Sequence, residues 1–401
     1  MNLEIANVAF LSDAQRQGLM RGRFTDIEDV LDANLEELMS RTGLLRHQIE
    51  DIMHLIASSI GPSPIVLADV ENGGHILSTG DPGLDSIFGG GIQLGMLWEL
   101  AGESGAGKTQ LALQLALMTQ IPAALGGVEG SCCILSPVKS LPLLRLHHFQ
   151  VSHPVIRQAT TSLDHIHVNH IVDAARLKTT LEHDLPLLIE RSKDGLPIRL
   201  VIIDNFTMLL RADEQATSTS LSDRAREVTD ICGLLHNLAA EHNLAVIIVN
   251  EVSDVFLYPD GNFSSDSEQP LEGPRYRDVA PWFSTAANVP GENSREPALG
   301  LAFANQVNVR VLLTKTGRRR ILDESDTASK RPRLSEPTQH TSAAARVEDA
   351  VLIRHMSVIF SSVGIPSSID YIIHEGGVTS LGEPTTRVLR DAISIRYNAC
   401  D

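Results

Sequence analysis

Cysteine is scarce in this chain: four residues in 401 (Cys132, Cys133, Cys232 and Cys400), with no C-x-x-C pair and no metal-ligand spacing. A disulfide scaffold and a thiolate metal site are therefore excluded, and the four read as reduced thiols of an intracellular protein. Positive charge is also in short supply, 33 basic against 50 acidic residues, for a formal net charge of −17. Such a surface is a poor free-standing binder of nucleic acid, because phosphate contact needs clustered positive charge. Any DNA contact has to come from a local patch or a basic partner. No apolar run reaches the ~20 residues that span a bilayer, and the first ten residues lack the basic start and long apolar core of a signal peptide. The sequence predicts a soluble intracellular protein with no membrane partner. Apolar residues, by contrast, make up 43% of the chain, enough to bury a core along most of its length.

Residues 1–65 read as a small helical N-terminal domain. Apolar residues recur at helical spacing from Asp26 to Ile60, interrupted at Thr42-Gly43 as in a helical hairpin. A module of this kind either touches a DNA backbone or serves as a packing or partner-docking cap. The few basic residues beside the turn, Arg41 and Arg46, favour the cap. Gly61-Pro62-Ser63-Pro64 breaks the helix and opens a linker that we extend over 66–76. From Leu77 to the end, apolar strands alternate with helices. Met96–Ala101, Cys132–Leu135, Leu200–Ile203 and Ala245–Val249 read as strands, with helices over Thr109–Thr119 and Leu221–His242. The alternation predicts an α/β core with a mostly parallel sheet over 77–401. Late runs at Gln306–Leu313, Met356–Phe360 and Tyr371–Ile373 read as antiparallel additions. Two polar stretches, 258–296 and 316–347, read as mobile insertions.

The strongest chemical signal is Gly102-Glu103-Ser104-Gly105-Ala106-Gly107-Lys108-Thr109, which fits G-x-x-x-x-G-K-[ST] between a strand and a helix. The glycines let the backbone curl so that several N–H groups point at a phosphate. Lys108 supplies a cation for the β- and γ-phosphates, the Thr109 hydroxyl can coordinate Mg²⁺, and the helix start favours the anion. ATP and Mg²⁺ are the ligands this predicts. Asp204 ends the apolar run Leu200–Ile203, where its carboxylate can hold a Mg²⁺-bound water, cap a helix, or do both.

Around these motifs the chain resembles the RecA-type recombinase family, and within it the eukaryotic recombinase paralogues of the XRCC type, including the fungal subunit of a recombinase-loading heterodimer. Four stretches carry the resemblance: LSTGDPGLDSIFGGGIQLGMLWELAGESGAGKTQLALQLAL from 77, RLVIIDNFTMLLR from 199, PALGLAFANQVNVRVLL from 297 and SSVGIPSSIDYIIHEGGV from 361. Gln110 after Thr109 is a family habit, and Phe303 stands where the family has Trp. The resemblance implies a RecA-like P-loop ATPase core. It also implies a nuclear, ATP-binding mediator of homologous recombination in double-strand-break repair. Its expected partners are another recombinase paralogue in a heterodimer, the strand-exchange recombinase, and single-stranded DNA within a complex. Arg145 matches a family arginine that stacks on adenine, although a plain helix-surface arginine reads equally well.

The departures from the family pattern bear on activity. Val138 falls where the active recombinases carry the glutamate that orients the attacking water, and valine can neither accept a proton nor align a water. Glu251 follows Asn250 where the family has glutamine, and an acid there repels phosphate. These two changes predict an ATPase that is weak at most. They set the mediator reading against an active DNA-dependent strand-exchange ATPase on one side and a non-hydrolysing scaffold on the other. Phe283-Ser284-Thr285-Ala286 resembles the F-x-x-A plug of recombinase subunit contacts, or is a chance match. Arg318–Arg320 and Lys330–Arg333 read as a bipartite nuclear import signal, a DNA-phosphate patch or a solvated loop. His147, His148, His153, His165, His167 and His170 are dense but lack a metal-ligand pattern.

Overall fold

The computed structural model describes residues 4–8, 10–60, 75–212, 221–254, 295–321 and 350–386. It divides the chain into two units, Met1–Gly73 and Gly74–Asp401. The first is helical: α1 (Asp13–Arg21), α2 (Ile27–Asp32), α3 (Leu35–Thr42) and α4 (Arg46–Ile60). Ser12 and Gln15 form a capping box that starts α1, and Asn34 caps α3 through the Glu37 N–H. Gly43, at φ 69°, stops α3 by donating its N–H to the Met39 carbonyl at 3.0 Å. Leu19, Phe24, Val30, Leu38, Ile52 and Ile56 fill the unit's own core. Both basic residues beside the turn are engaged within the unit. Arg41 lies 4.0 Å over the Phe24 ring and bonds the Gly22 carbonyl, while Arg46 pairs with Glu50.

In the second unit, β1 (Ile76–Leu77) and β2 (Ile92–Gln93) pair around α5 (Pro82–Ile87). The chain then runs through β3 (Leu97–Gly102), α6 (Lys108–Met118), β4 (Ser131–Ser136), α7 (Leu143–Ser152), β5 (Ile166–His170), α8 (Ala174–Thr179) and α9 (Leu185–Ser192). It continues through β6 (Ile198–Asp204), α10 (Phe206–Ala212), α11 (Leu221–His242), β7 (Ala245–Asn250), β8 (Val252–Asp254), β9 (Arg295–Pro297) and α12 (Gly300–Ala304). Four strands close it: β10 (Val309–Ile321), β11 (Ala350–Ser361), β12 (Ser367–His374) and β13 (Gly377–Thr386).

Among the described residues the main sheet has nine strands in the order β13-β12-β11-β10-β3-β7-β6-β4-β5. From β10 to β5 all neighbours are parallel, and β10 to β13 are antiparallel. This is the expected α/β, mostly parallel architecture. β3, β4 and β7 are buried throughout because helices cover both faces, which is why they read as mainly apolar runs; the exception within β3, Glu99, is paired with the buried Arg310. Alternate residues of β6 serve opposite faces: Leu200 and Ile202 join the α6 side, Val201 and Ile203 the α9–α11 side.

Three expectations are corrected. Gln306–Leu313 does not begin an antiparallel addition, since β10 lies parallel to β3 in the register Val309↔Trp98. Arg318–Arg320 does not sit in a loop. Strand β10 runs on to Ile321 through a register shift at Gly317, whose φ is 69°, and Arg319 and Arg320 pair with Leu352 and Val351. A polar strand survives there because β11 supplies its backbone partners while the side chains face water. At the end of the other insertion, Arg295 and Glu296 belong to β9, paired with β8. The clusters Lys330–Arg333 and Phe283–Ala286 lie outside the described residues. No helix among the described residues is long and apolar enough to cross a membrane.

Candidate nucleotide-binding site

β3 lies between β10 and β7, and the loop leaving it curls over the carboxyl ends of the parallel strands. This is the end of an open α/β sheet where ligands gather. Gly105 and Gly107 hold φ 76° and 110°, so the curl depends on residues without a Cβ. Lys108 opens α6 directly after Gly107, and its Nζ donates to the carbonyls of Gly102 (2.5 Å) and Glu103 (3.0 Å). The Tyr371 hydroxyl on β12 donates to the Ala106 carbonyl at 2.5 Å and steadies the loop from the far side.

Asp204 arrives at the end of β6, one strand beyond β7, and accepts the Thr109 hydroxyl at 2.8 Å. The two residues assigned to Mg²⁺ thus meet across 95 positions of sequence. Burial pushes the Asp204 carboxyl up and the Glu251 charge adds to the rise, whereas the Thr109 hydrogen bond and Lys108 oppose it. Burial likewise lowers Lys108, against the pull of Asp204, Glu251 and Glu103. A triphosphate here would favour the charged form of Lys108, and a divalent cation the charged form of Asp204.

The cavity they enclose measures about 770 Å³, within the range of small-molecule sites. Residues 102–105 and 107–110 line it together with Asp204, Asn205, Glu251, Val252, Arg354 and Ile373. An N–H-lined loop, an ammonium and a hydroxyl–carboxylate pair fit a nucleoside triphosphate with Mg²⁺. Lys108 and the loop amides would hold phosphate, and Thr109 with Asp204 would hold the cation, which when bound neutralises phosphate charge.

Sequence reasoning missed Arg354. It stands on β11, lines the cavity and donates through Nε to the Gly105 carbonyl at 3.1 Å. It also missed the tie between Glu103 and β10, where the carboxylate accepts the Lys315 N–H at 2.8 Å and pairs with its Nζ at 3.3 Å. No local motif marks either residue. Only the pairing of β3, β10 and β11 brings them to the loop.

Two anticipated residues lie apart from that lining. Val138 is 53% exposed just beyond β4, its N–H bonded to the Ser136 hydroxyl. Arg145 on α7 donates to Gln110 Oε1 at 2.5 Å and to the carbonyls of His374 (2.6 Å) and Glu375 (3.0 Å), with its guanidinium 4.1 Å from the Phe149 ring. It is therefore no plain surface arginine, since it ties Gln110 to the β12–β13 turn. Among the dense histidines, His153 is buried and His170 bonds the Pro137 carbonyl at 2.9 Å. Phe303, in the family's Trp position, packs on Phe206 with centroids 5.4 Å apart.

A phosphate loop on the central strand, with an acid from a nearby strand at its helix, defines a P-loop nucleotide-binding protein of RecA-like architecture. Comparison with known proteins narrows the class. A sequence model of the Rad51 family matches residues 75–276, just over half the chain. The DNA repair protein XRCC3 homolog of Arabidopsis thaliana is 30% identical over 314 residues, covering 76% of this chain and 93% of the relative. The DNA repair protein rhp57 of Schizosaccharomyces pombe is 28% identical over 302 residues (72% and 81%), and XRCC3 of Mus musculus 26% over 312 (74% and 81%). The chain belongs to the Rad51 family.

Proposed function

We propose that this chain is an ATP-binding mediator of homologous recombination that acts in the nucleus as one subunit of a heterodimer. Its partner is another recombinase paralogue, and together they assist the strand-exchange recombinase onto single-stranded DNA. The observation that carries this reading is a convergence paired with an absence. Lys108, Thr109 and Asp204 meet around one cavity, while Val138 stands outside it and offers no carboxylate. A site built this way favours holding ATP over turning it over. The related DNA repair proteins supply the biological setting. In RecA-type assemblies ATP lies between subunits, so a nucleotide that is held and slowly spent serves as a clamp.

Association with the partner is the direct test. We expect the full chain to co-purify with its paralogue partner more strongly with Mg²⁺-ATP than without, and Lys108→Ala to lose most of that gain. Losing one ammonium removes the main side-chain contact to phosphate but leaves the amide cradle, so the loss is partial. Co-purification indifferent to both ATP and the substitution contradicts the clamp.

A further inference from the structure

Glu251 replaces the family's amide, and at first sight an acid here only repels phosphate. Its position argues for more. Strand β7 lies between β3, which carries the phosphate loop, and β6, which carries Asp204. Glu251 follows the last residue of that middle strand and lines the cavity between the two. After Asp204 it is the strongest acidic influence on Lys108, and Lys108 marks where the terminal phosphates belong. The carboxylate is also held. Asn205 Nδ2 donates to Glu251 Oε1 at 2.8 Å, and the Glu251 N–H donates to Asn250 Oδ1 at 2.9 Å. Asn250 is fully buried and is anchored in turn by Glu99, at 2.8 Å, and by the Thr207 hydroxyl. Asn205 thus orients the carboxylate, and the buried Asn250 network fixes the backbone that carries it, as preorganised chemistry requires.

We infer that Glu251, at the end of β7 and two strands from the β4 that leads to Val138, is the general base for the residual ATP hydrolysis of this chain and performs the task that Val138 cannot. The inference rests on the nucleotide-binding reading above. In the step, a proton of the attacking water passes to a Glu251 carboxylate oxygen as the water oxygen bonds the γ-phosphorus. The bond from that phosphorus to the β–γ bridging oxygen breaks, and ADP leaves with the electron pair.

The family's own residue provides a test whose sign discriminates. If Glu251 merely repels phosphate, Glu251→Gln restores the usual amide and hydrolysis rises. If Glu251 is the base, the same substitution removes the proton acceptor. We then expect phosphate release by the full chain to fall by about 10²-fold or more, down to the background of Lys108→Ala. Labelled ATP meanwhile binds Glu251→Gln more tightly, because a negative charge leaves the site. Glu251→Asp, which keeps a retracted carboxylate, should recover part of the rate. Hydrolysis that is unchanged or raised in Glu251→Gln overturns the inference, as does wild-type chain that binds ATP with no release above the Lys108→Ala background. Wild-type chain that fails to bind labelled ATP overturns the nucleotide reading itself, a separate result.

Discussion

Gly107 holds φ 110° immediately before Lys108, and a Cβ built there would come within 2.5 Å of Ile373 Cδ1. The Ile373 tip is the end of a flexible side chain and can move aside. The backbone angle cannot be relieved so cheaply, since L residues pay about 1–3 kcal/mol in such regions. Gly107→Ala is therefore expected to lower ATP affinity about tenfold or more by tilting the amides that face phosphate. Adding Ile373→Val should recover only the smaller, steric part. Titration of the two variants with labelled ATP checks this, and an affinity matching wild type in Gly107→Ala counts against the loop's assigned role. Glycines at 105 and 107, Lys108, Thr109 and Asp204 were all legible in the sequence because each belongs to a contiguous motif or ends an apolar run. Arg354 and Lys315 were not, because their proximity to the loop exists only through strand pairing.

Helix α7 ends at His153, which is 2% exposed and accepts the N–H groups of Val155 and Ile156 through Nδ1, each at 3.2 Å. Burial, reinforced by His374, lowers its pKa from 6.5 to about 4. As pH falls below 6.5 the unfolded chain takes up this proton first, while the native chain refuses it until about pH 4. Native stability is thus lost across that window, by about 3 kcal/mol in all from this one group. His153→Asn keeps an acceptor in place without a titrating ring. The variant should start less stable at pH 7, having lost packing, yet lose less stability than wild type between pH 7 and 4.5 in denaturant titrations. Equal losses in both chains contradict the assignment.

β3, β4, β6 and β7 announce themselves because burial on both faces demands mainly apolar runs. Strand β13, with its Gly382 and Pro384 among three threonines and one serine, carries no such run and leaves no signal in the sequence. The polar end of β10 is silent in the sequence for the same reason, because its order comes from β11 and from the Arg318–Asp370 pair at 2.8 Å. Direction was equally hidden, since whether β10 runs with or against β3 is decided by the neighbour it joins.

At the scale of the whole molecule, an acidic chain carries its nucleotide chemistry in one of two units, each with a core of its own. Every residue lining the nucleotide cavity belongs to the unit Gly74–Asp401, so the chain beginning at residue 75 should bind ATP as the full chain does. Acid is abundant around the loop. Asp204, Glu251 and Glu103 all act on Lys108, so a polyanion entering here would need a divalent cation to offset their charge. The direct test is an equilibrium titration of labelled ATP into the purified full chain, with and without Mg²⁺, for wild type and Lys108→Ala. Saturable binding that needs Mg²⁺ and weakens about tenfold or more in Lys108→Ala is the predicted result. Absence of binding to wild type, or binding that neither Mg²⁺ nor the lysine affects, would contradict it.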